Sequence, residues 1–334
     1  MKVQFITCDR IKDTYGVTSG LFNSATFVRN YLNSIGIESE LTPVTDSNGI
    51  DKIVTNYNPD VVIIEALWCP PGKFEELLKI PRHKNRRWII RVHSKAPFLA
   101  NEGLATKWII QYSNLGLEIA PNTEELTQQF ESSLPLGKFT YLPNIYYADS
   151  FKKEPKENQD LDYIDIGCFG AIRPMKNTYQ QALAAIDFAQ GLDKKLRFHI
   201  NSSRVEQNGN NVLRNLEALF EYSQHELIHH RWYKHNDFLK AVSQMDMCMQ
   251  VSFSESFNIV TADSVTAQVP VVCSEDISWM PRIMRVRPTS HKSIVRKLEI
   301  AYLLSAPIVF FQSLYLNYYN YKSKKCWVKN LKNT

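Results

Sequence analysis

ESFNIVTADSVTAQVPVV, residues 255–272, is the stretch whose reading decides the fold. It sets two carboxylates, Glu255 and Asp263, eight positions apart and closes on an apolar run at 269–273. Eight residues is slightly more than two helical turns, so both acids fall on one face of a helix that the sequence predicts to start near Ser256. The first N–H groups of such a helix lack partners within it, and with the helix dipole they favour an anion beside Glu255. A carboxylate that accepts from hydroxyls, set beside donors that hold phosphate, suits a sugar joined to a nucleotide diphosphate. The closing run reads as a buried strand.

Working outward, the alternation of strand and helix signals continues on both sides. Upstream, residues 163–169 predict a strand, 178–190 a helix, 196–201 a strand and 211–222 a helix. A strand near 227–232, a helix over 236–244 and a strand over 246–251 then lead into the opening stretch. The first half has the same rhythm. It begins with an apolar strand over 2–7, a glycine-bearing turn over 15–20 and a helix over 23–35 ended by Gly36. Residues 60–65 and 88–92 are short runs rich in β-branched residues, as in strands buried on both faces, and 117–120 and 139–142 predict two more strands. The polar segment 149–162, with Pro155, separates the two series. The fold class is therefore α/β, with two doubly wound, Rossmann-like domains facing a cleft. The first spans 1–148, the second 149–305, and 306–334 form a helix that returns to the first. In that tail Phe311, Leu314, Tyr318, Tyr321 and Lys325 follow a three-four spacing, which reads as the packing face.

The 334 residues are 44% hydrophobic and 22% charged, the balance of a soluble globular protein with room for two cores. Six scattered cysteines include no C-x-x-C pair, so reduced thiols in a cytoplasmic protein are expected. MKVQFITCDR reads as a strand followed by charge, without the apolar core of a signal peptide. The longest apolar run, 300–316, is broken by Ser305, Pro307 and Gln312 and is too short to span a bilayer. Net charge is +5, but residues 281–334 carry eleven Lys or Arg against the single acid Glu299. Residues 82–95, RHKNRRWIIRVHSK, add six more cationic side chains and no acid. Both runs read either as solvated surface or as an attraction to a polyanion: nucleic acid, anionic lipid or acidic glycan.

Four segments together resemble the large retaining family of GT-B glycosyltransferases, group 1 type, that includes the glycogen and sucrose synthase-like enzymes. They are YLPNIYYADSF at 141–151, DIGCFGAIRPMKN at 165–177, the long run 227–272 that ends in Pro270, Val271 and Val272, and, more loosely, Gly16 and Gly20 with RVHS around His93. The resemblance implies roles at the matching positions. Arg173 and Lys176 hold the diphosphate and stabilise the charge that grows as the sugar–phosphate bond breaks. Gly167 and Gly170 let the backbone approach the donor. Glu255 binds hydroxyls of the donor sugar, the N–H groups of Phe257, Asn258 and Ile259 meet phosphate, and Asp263 holds the ribose; Ser256 is a further donor-site residue. Asn201 and Trp232 also line the donor site, as do Gly16 and Gly20. His93 is the hydrogen-bond partner of the transferred sugar near its anomeric carbon.

The implied reaction moves a sugar from a nucleotide diphosphate donor, UDP-sugar first among them, by a front-face route in which the leaving phosphate takes the acceptor's proton. No tightly bound cofactor and no metal are implied, since Arg173 and Lys176 supply the positive charge. The sequence departs from the family in three places. Asp263 stands where Glu is usual, Gln268–Val269 where Gly is usual before the closing proline, and the N-terminal glycines are spread to Gly16 and Gly20. The basic tail with interleaved Tyr and Trp points to a polyanionic acceptor, hydroxymethylated bases of phage DNA ahead of a lipid-linked or surface glycan. A non-catalytic sugar- or nucleic-acid-binding protein on this fold is the other class of reading.

His225, Glu226 and His229 spell H-E-x-x-H, the zinc-protease motif, with Glu255 downstream as a third ligand. That motif needs an amphipathic helix. Here it runs into His230, Arg231, Trp232 and Tyr233, where the alternation requires a strand, and Arg231 would face the packed side of such a helix. The zinc reading is set aside on those grounds.

Overall fold

The computed structural model describes residues 1–8, 20–147, 151–153, 155–156 and 160–332. Two compact units divide the chain: Met1–Tyr147 with Asn320–Thr334, and Ala148–Tyr319.

The first unit is a six-stranded parallel sheet in the order β2-β1-β3-β4-β5-β6. Its strands are β1 (Lys2–Cys8), β2 (Glu38–Val44), β3 (Val61–Glu65), β4 (Arg87–Val92), β5 (Glu118–Pro121) and β6 (Lys138–Phe139). Helices of two turns or more are α1 (Gly20–Ser34), α2 (Ile50–Tyr57), α3 (Pro71–Lys79), α4 (Ala105–Asn114) and α5 (Glu124–Ser133). Side chains alternate across the sheet, so β3 feeds two cores. Val62 and Ile64 join Ile6, Ile90 and Phe74 on one face, while Val61 and Ile63 join Val3, Phe5 and Ile89 on the other. Strand β2 carries no strand signal in ESELTPV, because it is an edge strand with polar positions and tolerates Pro43. Helix α5 starts where Thr123 accepts from the Leu126 N–H and Glu124 and Glu125 fill the first turn.

The second unit repeats the scheme in the order β12-β11-β10-β7-β8-β9. Strands are β7 (Tyr163–Gly167), β8 (Lys195–Ile200), β9 (Glu226–His229), β10 (Met247–Gln250), β11 (Val271–Ser274) and β12 (Arg285–Val286). The longer helices are α6 (Thr178–Gly191), α7 (Gly209–Glu221), α8 (His235–Ser243), α9 (Ile259–Thr266), α10 (His291–Leu303) and α11 (Ser305–Lys332). The strand order reverses between β7 and β10. In open parallel sheets the crevice beyond the strand ends at such a reversal is where ligands bind. The loops that follow β7 and β10 therefore flank that crevice.

Two sequence expectations need correction. The helix expected from Ser256 begins at Ile259, because Asn258 adopts φ 55° and its side chain accepts from the Thr261 N–H, closing the helix start. Glu255 thus lies in the loop before α9, and the two carboxylates do not share a helical face. The stripe Phe311, Leu314, Tyr318, Tyr321 and Lys325 is not the packing face either; each of these side chains is exposed. The buried face of α11 is Ile308, Gln312, Leu316, Ser323, Trp327 and Leu331. Gln312 is on that face because it brackets the backbone of Val271, accepting from its N–H at 3.3 Å and donating to its carbonyl at 2.8 Å. Further along, Trp327 and Leu331 complete the Val3–Phe5 core of the first unit.

The basic run 82–95 is mostly structural. Arg82 binds Asp51, Arg86 donates to Asn58 and the Pro59 carbonyl, Arg87 pairs with Glu118, and Lys95 with Glu125. Its remaining arginine, Arg91, is buried against Glu65. All six cysteines are unpaired thiols, four of them buried.

Candidate active site

The site is built from two loops of the second unit. After β7 the chain passes Phe169 and turns at Gly170, whose φ of +118° is a conformation L side chains rarely adopt. The Gly170 N–H donates to Asn201 Oδ1 at 2.9 Å, and Asn201 Nδ2 donates to the Arg231 carbonyl at 3.1 Å. Asn201 therefore sets the glycine turn and the segment before Trp232. Gly167 has a packing reason to lack a side chain: a Cβ there would meet the Phe169 ring at 2.5 Å and Cys248 Sγ at 3.1 Å. Burial pushes the Cys168 and Cys248 thiols up to about 12, so neither thiol beneath the turn is a thiolate nucleophile at neutral pH.

The loop then reaches Arg173 and a short 3-10 turn, Pro174–Lys176, ended by Asn177 at φ 57°. Asn177 Nδ2 donates to the Val251 and Pro288 carbonyls, both at 3.1 Å. Gln181 holds the Lys176 carbonyl and the Val251 N–H at 2.8 Å each, and the Phe253 N–H donates to the Met175 carbonyl. These bonds tie the loop after β7 to the loop after β10. At their meeting Lys176 Nζ contacts the Glu255 carboxylate, both side chains being mostly enclosed. The Glu255 N–H donates to Asp276 at 3.1 Å. Behind the pair, Gln250 Nε2 donates to the Phe169 carbonyl and Gln250 Oε1 accepts from Asn258 Nδ2, at 2.9 Å each.

Arg173 stands beside a second acid, with Nη1 3.6 Å from Glu206, which Arg204 holds at 2.6 Å. The Arg204 guanidinium lies 4.5 Å from the Trp232 ring centroid, in cation–π contact. The structure thus joins Lys176 to Glu255 and Gly170 to Asn201 in the loops at the ends of β7 and β10, while Arg173, three residues before Lys176, is turned to Glu206, and Trp232 meets Arg204 on the β9 side; Ser256 follows Glu255 in the same loop. Phe257 is buried between Trp279 and Tyr319, at ring centroid distances of 5.5 and 5.2 Å. Ile259 opens α9.

Asp263 sits on α9, almost fully buried, with Oδ1 2.7 Å from His235 Nε2. Burial alone would lower the His235 pKa, but the hydrogen bond and charge of Asp263 outweigh it and raise it above its ordinary 6.5. Sequence reasoning missed His235, Gln250, Asn177 and Gly209. A Cβ on Gly209 would lie 2.0 Å from the Ile172 carbonyl oxygen, so α7 can begin beside the Arg173 loop only with glycine there.

His93, just past β4, contacts the buried Glu65, which also pairs with Arg91 at 3.1 Å. Arg91 also donates to the carbonyls of Leu142 and Pro143 and to Asn144. Gly20 opens α1, and Gly16 lies outside the described residues. Glu226–His229 forms a strand, and the His225 ring accepts from the Leu196 N–H, so the H-E-x-x-H letters do not form a metal helix. Among the described residues no group of His, Cys, Asp and Glu is placed to hold a metal ion.

No family profile and no curated protein sequence matches the chain. Solved structures do match. Sucrose-phosphate synthase from Thermosynechococcus elongatus aligns over 99% of this chain and 98% of its own, at TM-score 0.71 and 11% identity. HepE of Anabaena in complex with UDP-glucose aligns over 98% and 100%, at TM-score 0.65 and 12% identity. TarM of S. aureus, in complex with fondaparinux, alpha-GlcNAc-glycerol and UDP, aligns over 80% of this chain at TM-score 0.54 and 12% identity. The chain spans about half the length of TarM, 52% of it. The fold is that of the GT-B glycosyltransferases.

Proposed function

We propose that the protein transfers a sugar from a nucleotide diphosphate sugar, UDP-sugar first, to an acceptor hydroxyl with retention of configuration. The observation that carries this reading is the meeting of Lys176 and Glu255 where the loops after β7 and β10 are tied together at the strand-order reversal of the second unit, with Arg173 three residues before Lys176 on the same loop. Two cations on one turn suit a diphosphate. The carboxylate held by Lys176 accepts from sugar hydroxyls, and the Gly170 turn gives the donor room at the backbone.

As the bond from the anomeric carbon to the phosphate oxygen breaks, negative charge gathers on the diphosphate, and Arg173 and Lys176 stabilise it without reorganising. With two cations in place, charge stabilisation does not call for a metal. In the front-face course the leaving phosphate oxygen takes the acceptor's proton, so no dedicated general base is assigned. His93, braced by Glu65, is the proposed partner of the transferred sugar, and Asp263 acts on the ribose through its pair with His235. Support for a UDP-sugar donor comes from HepE and TarM, whose complexes contain UDP-glucose and UDP.

The acceptor is proposed to be polyanionic or presented on a polyanionic surface, either hydroxymethylated phage DNA or a lipid-linked or surface glycan. One observation favours the second. Trp327, part of the basic, aromatic tail that the sequence offers to a DNA phosphate backbone, is fully buried in the first unit. The test is release of UDP from UDP-glucose with each acceptor class in turn, compared between wild type and Arg173→Ala. Release that needs an acceptor and is lost in Arg173→Ala supports transfer. Nucleotide binding without turnover under any acceptor supports the binding-protein reading.

A further inference from the structure

The exposed face of α11 is a feature that the donor site leaves unused. Leu303 and Leu304 lead into it, and Phe310, Phe311, Leu314, Tyr315, Tyr318 and Tyr321 follow, all exposed; Leu303 is 76% and Phe310 61% accessible. At about 100° per residue, positions 310 to 321 of this set fall within one arc of about 140°. They run about 17 Å along the axis. The same arc then carries Lys322, Lys325, Lys329 and Lys332, each exposed. From residue 300 to the end of the chain there are five lysines and no acid. A water-facing helix surface ordinarily carries charged or polar side chains, and contiguous exposed aromatics mark an interaction site.

We propose that this face docks on an anionic lipid surface. Phenylalanine and leucine enter the acyl boundary, tyrosine sits at headgroup depth with its hydroxyl wet, and the lysines that continue the face meet lipid phosphates. No described helix is long and apolar enough to cross a membrane, so the contact is one of lying on the surface. A second copy of this chain is a poorer occupant, since neither copy of this face carries an acid to meet the other's lysines. Nucleic acid is poorer too, since Leu303, Phe310, Phe311 and Leu314 offer nothing to a phosphate backbone. The proposal stands apart from the donor site. Nucleotide thermal shifts on the same variants separate the two.

The test is flotation of the full chain with vesicles of phosphatidylcholine alone and of phosphatidylcholine mixed with phosphatidylglycerol. Wild type is expected to float with the mixed vesicles only, and less as salt rises. Phe310→Ser/Phe311→Ser/Leu314→Ser and Lys322→Glu/Lys325→Glu are each expected to weaken this binding about tenfold or more with no loss of melting temperature. Should the triple variant fail to fold, Phe310→Ser alone, at the most exposed of the three positions, is expected to weaken binding severalfold. Absence of wild-type binding would overturn the proposal, as would serine variants that bind as wild type does. So would a wild-type dimer in sedimentation that the triple variant dissolves, or duplex DNA that binds both forms equally and displaces the vesicles.

Discussion

His235 Nε2 lies 2.7 Å from Asp263 Oδ1, with the carboxylate nearly enclosed and the imidazole keeping an edge in solvent. An aspartate here is one methylene shorter than the glutamate of the family it resembles, and histidine occupies the space in front of it. The pair fixes the ring that faces outward and keeps the buried acid hydrogen-bonded.

Because the pair raises the His235 pKa, its ionic stabilisation is full below the ordinary value of 6.5 and is lost as pH rises through the raised one. Replacement of His235 by alanine is expected to cost about 2 kcal/mol in acid and distinctly less in alkali. Urea unfolding of both proteins across that range checks it. A difference that grows with rising pH would mean that Asp263 and His235 do not pair as ions.

Lys176→Met removes one of the two cations proposed to hold the diphosphate and strands the Glu255 carboxylate in a nearly closed site. Turnover is expected to fall about 100-fold or more, with stability reduced as well. The double variant Lys176→Met/Glu255→Gln is expected to regain most of the stability and none of the turnover. Recovery of turnover in the double variant would remove Lys176 from the chemistry.

Glu65 is fully buried, and although burial pushes its pKa up, Arg91 and His93 prevail and hold it below its ordinary 4.5. Its ionic contribution is therefore complete above 4.5 and lost as pH falls through the lowered value. Replacing Arg91 by methionine is expected to cost about 3–5 kcal/mol near neutrality, since it leaves Glu65 with too little counter-charge. Trp327→Ala is expected to cost a similar amount by emptying the Val3–Phe5 core. Chemical denaturation of the two single variants measures both.

Gly209→Ala sets a methyl 2.0 Å from the Ile172 carbonyl oxygen and forces α7 away from the Arg173 loop. It is expected to destabilise by about 3 kcal/mol and to weaken nucleotide binding. Gly170→Ala has open space but an unfavourable φ, and a smaller cost of about 1–2 kcal/mol is expected. Equal melting temperatures for Gly209→Ala and wild type would contradict the packing.

The central parallel strands of the first unit were legible because β3 and β4 are short runs rich in β-branched residues between turns, and runs of that kind announce burial on both faces. The glycine turn and its two cations were legible because Gly170, Arg173 and Lys176 are local in sequence. The partner of Lys176 lies 79 positions away, and only the resemblance linked the two. The start of α9 was misplaced because a helical period says nothing about onset, which Asn258 sets with its own side chain. The tail was misread for a plainer reason. The series 311, 314, 318, 321 and the series 308, 312, 316, 323, 327, 331 both recur at helical spacing, and periodicity cannot choose between them. Composition favoured the aromatics, while packing chose the face with Gln312, because Gln312 is bonded to the Val271 backbone there and Trp327 fills a core.

The central claim is that the loops after β7 and β10 hold a nucleotide diphosphate sugar. The most direct test is the melting temperature of wild type and Arg173→Ala in the presence of UDP, GDP, ADP and their common sugars. Stabilisation by one nucleotide class, UDP first, that is abolished in Arg173→Ala is the predicted result. No stabilisation of the wild type by any nucleotide, or a shift that persists unchanged in Arg173→Ala, would contradict it.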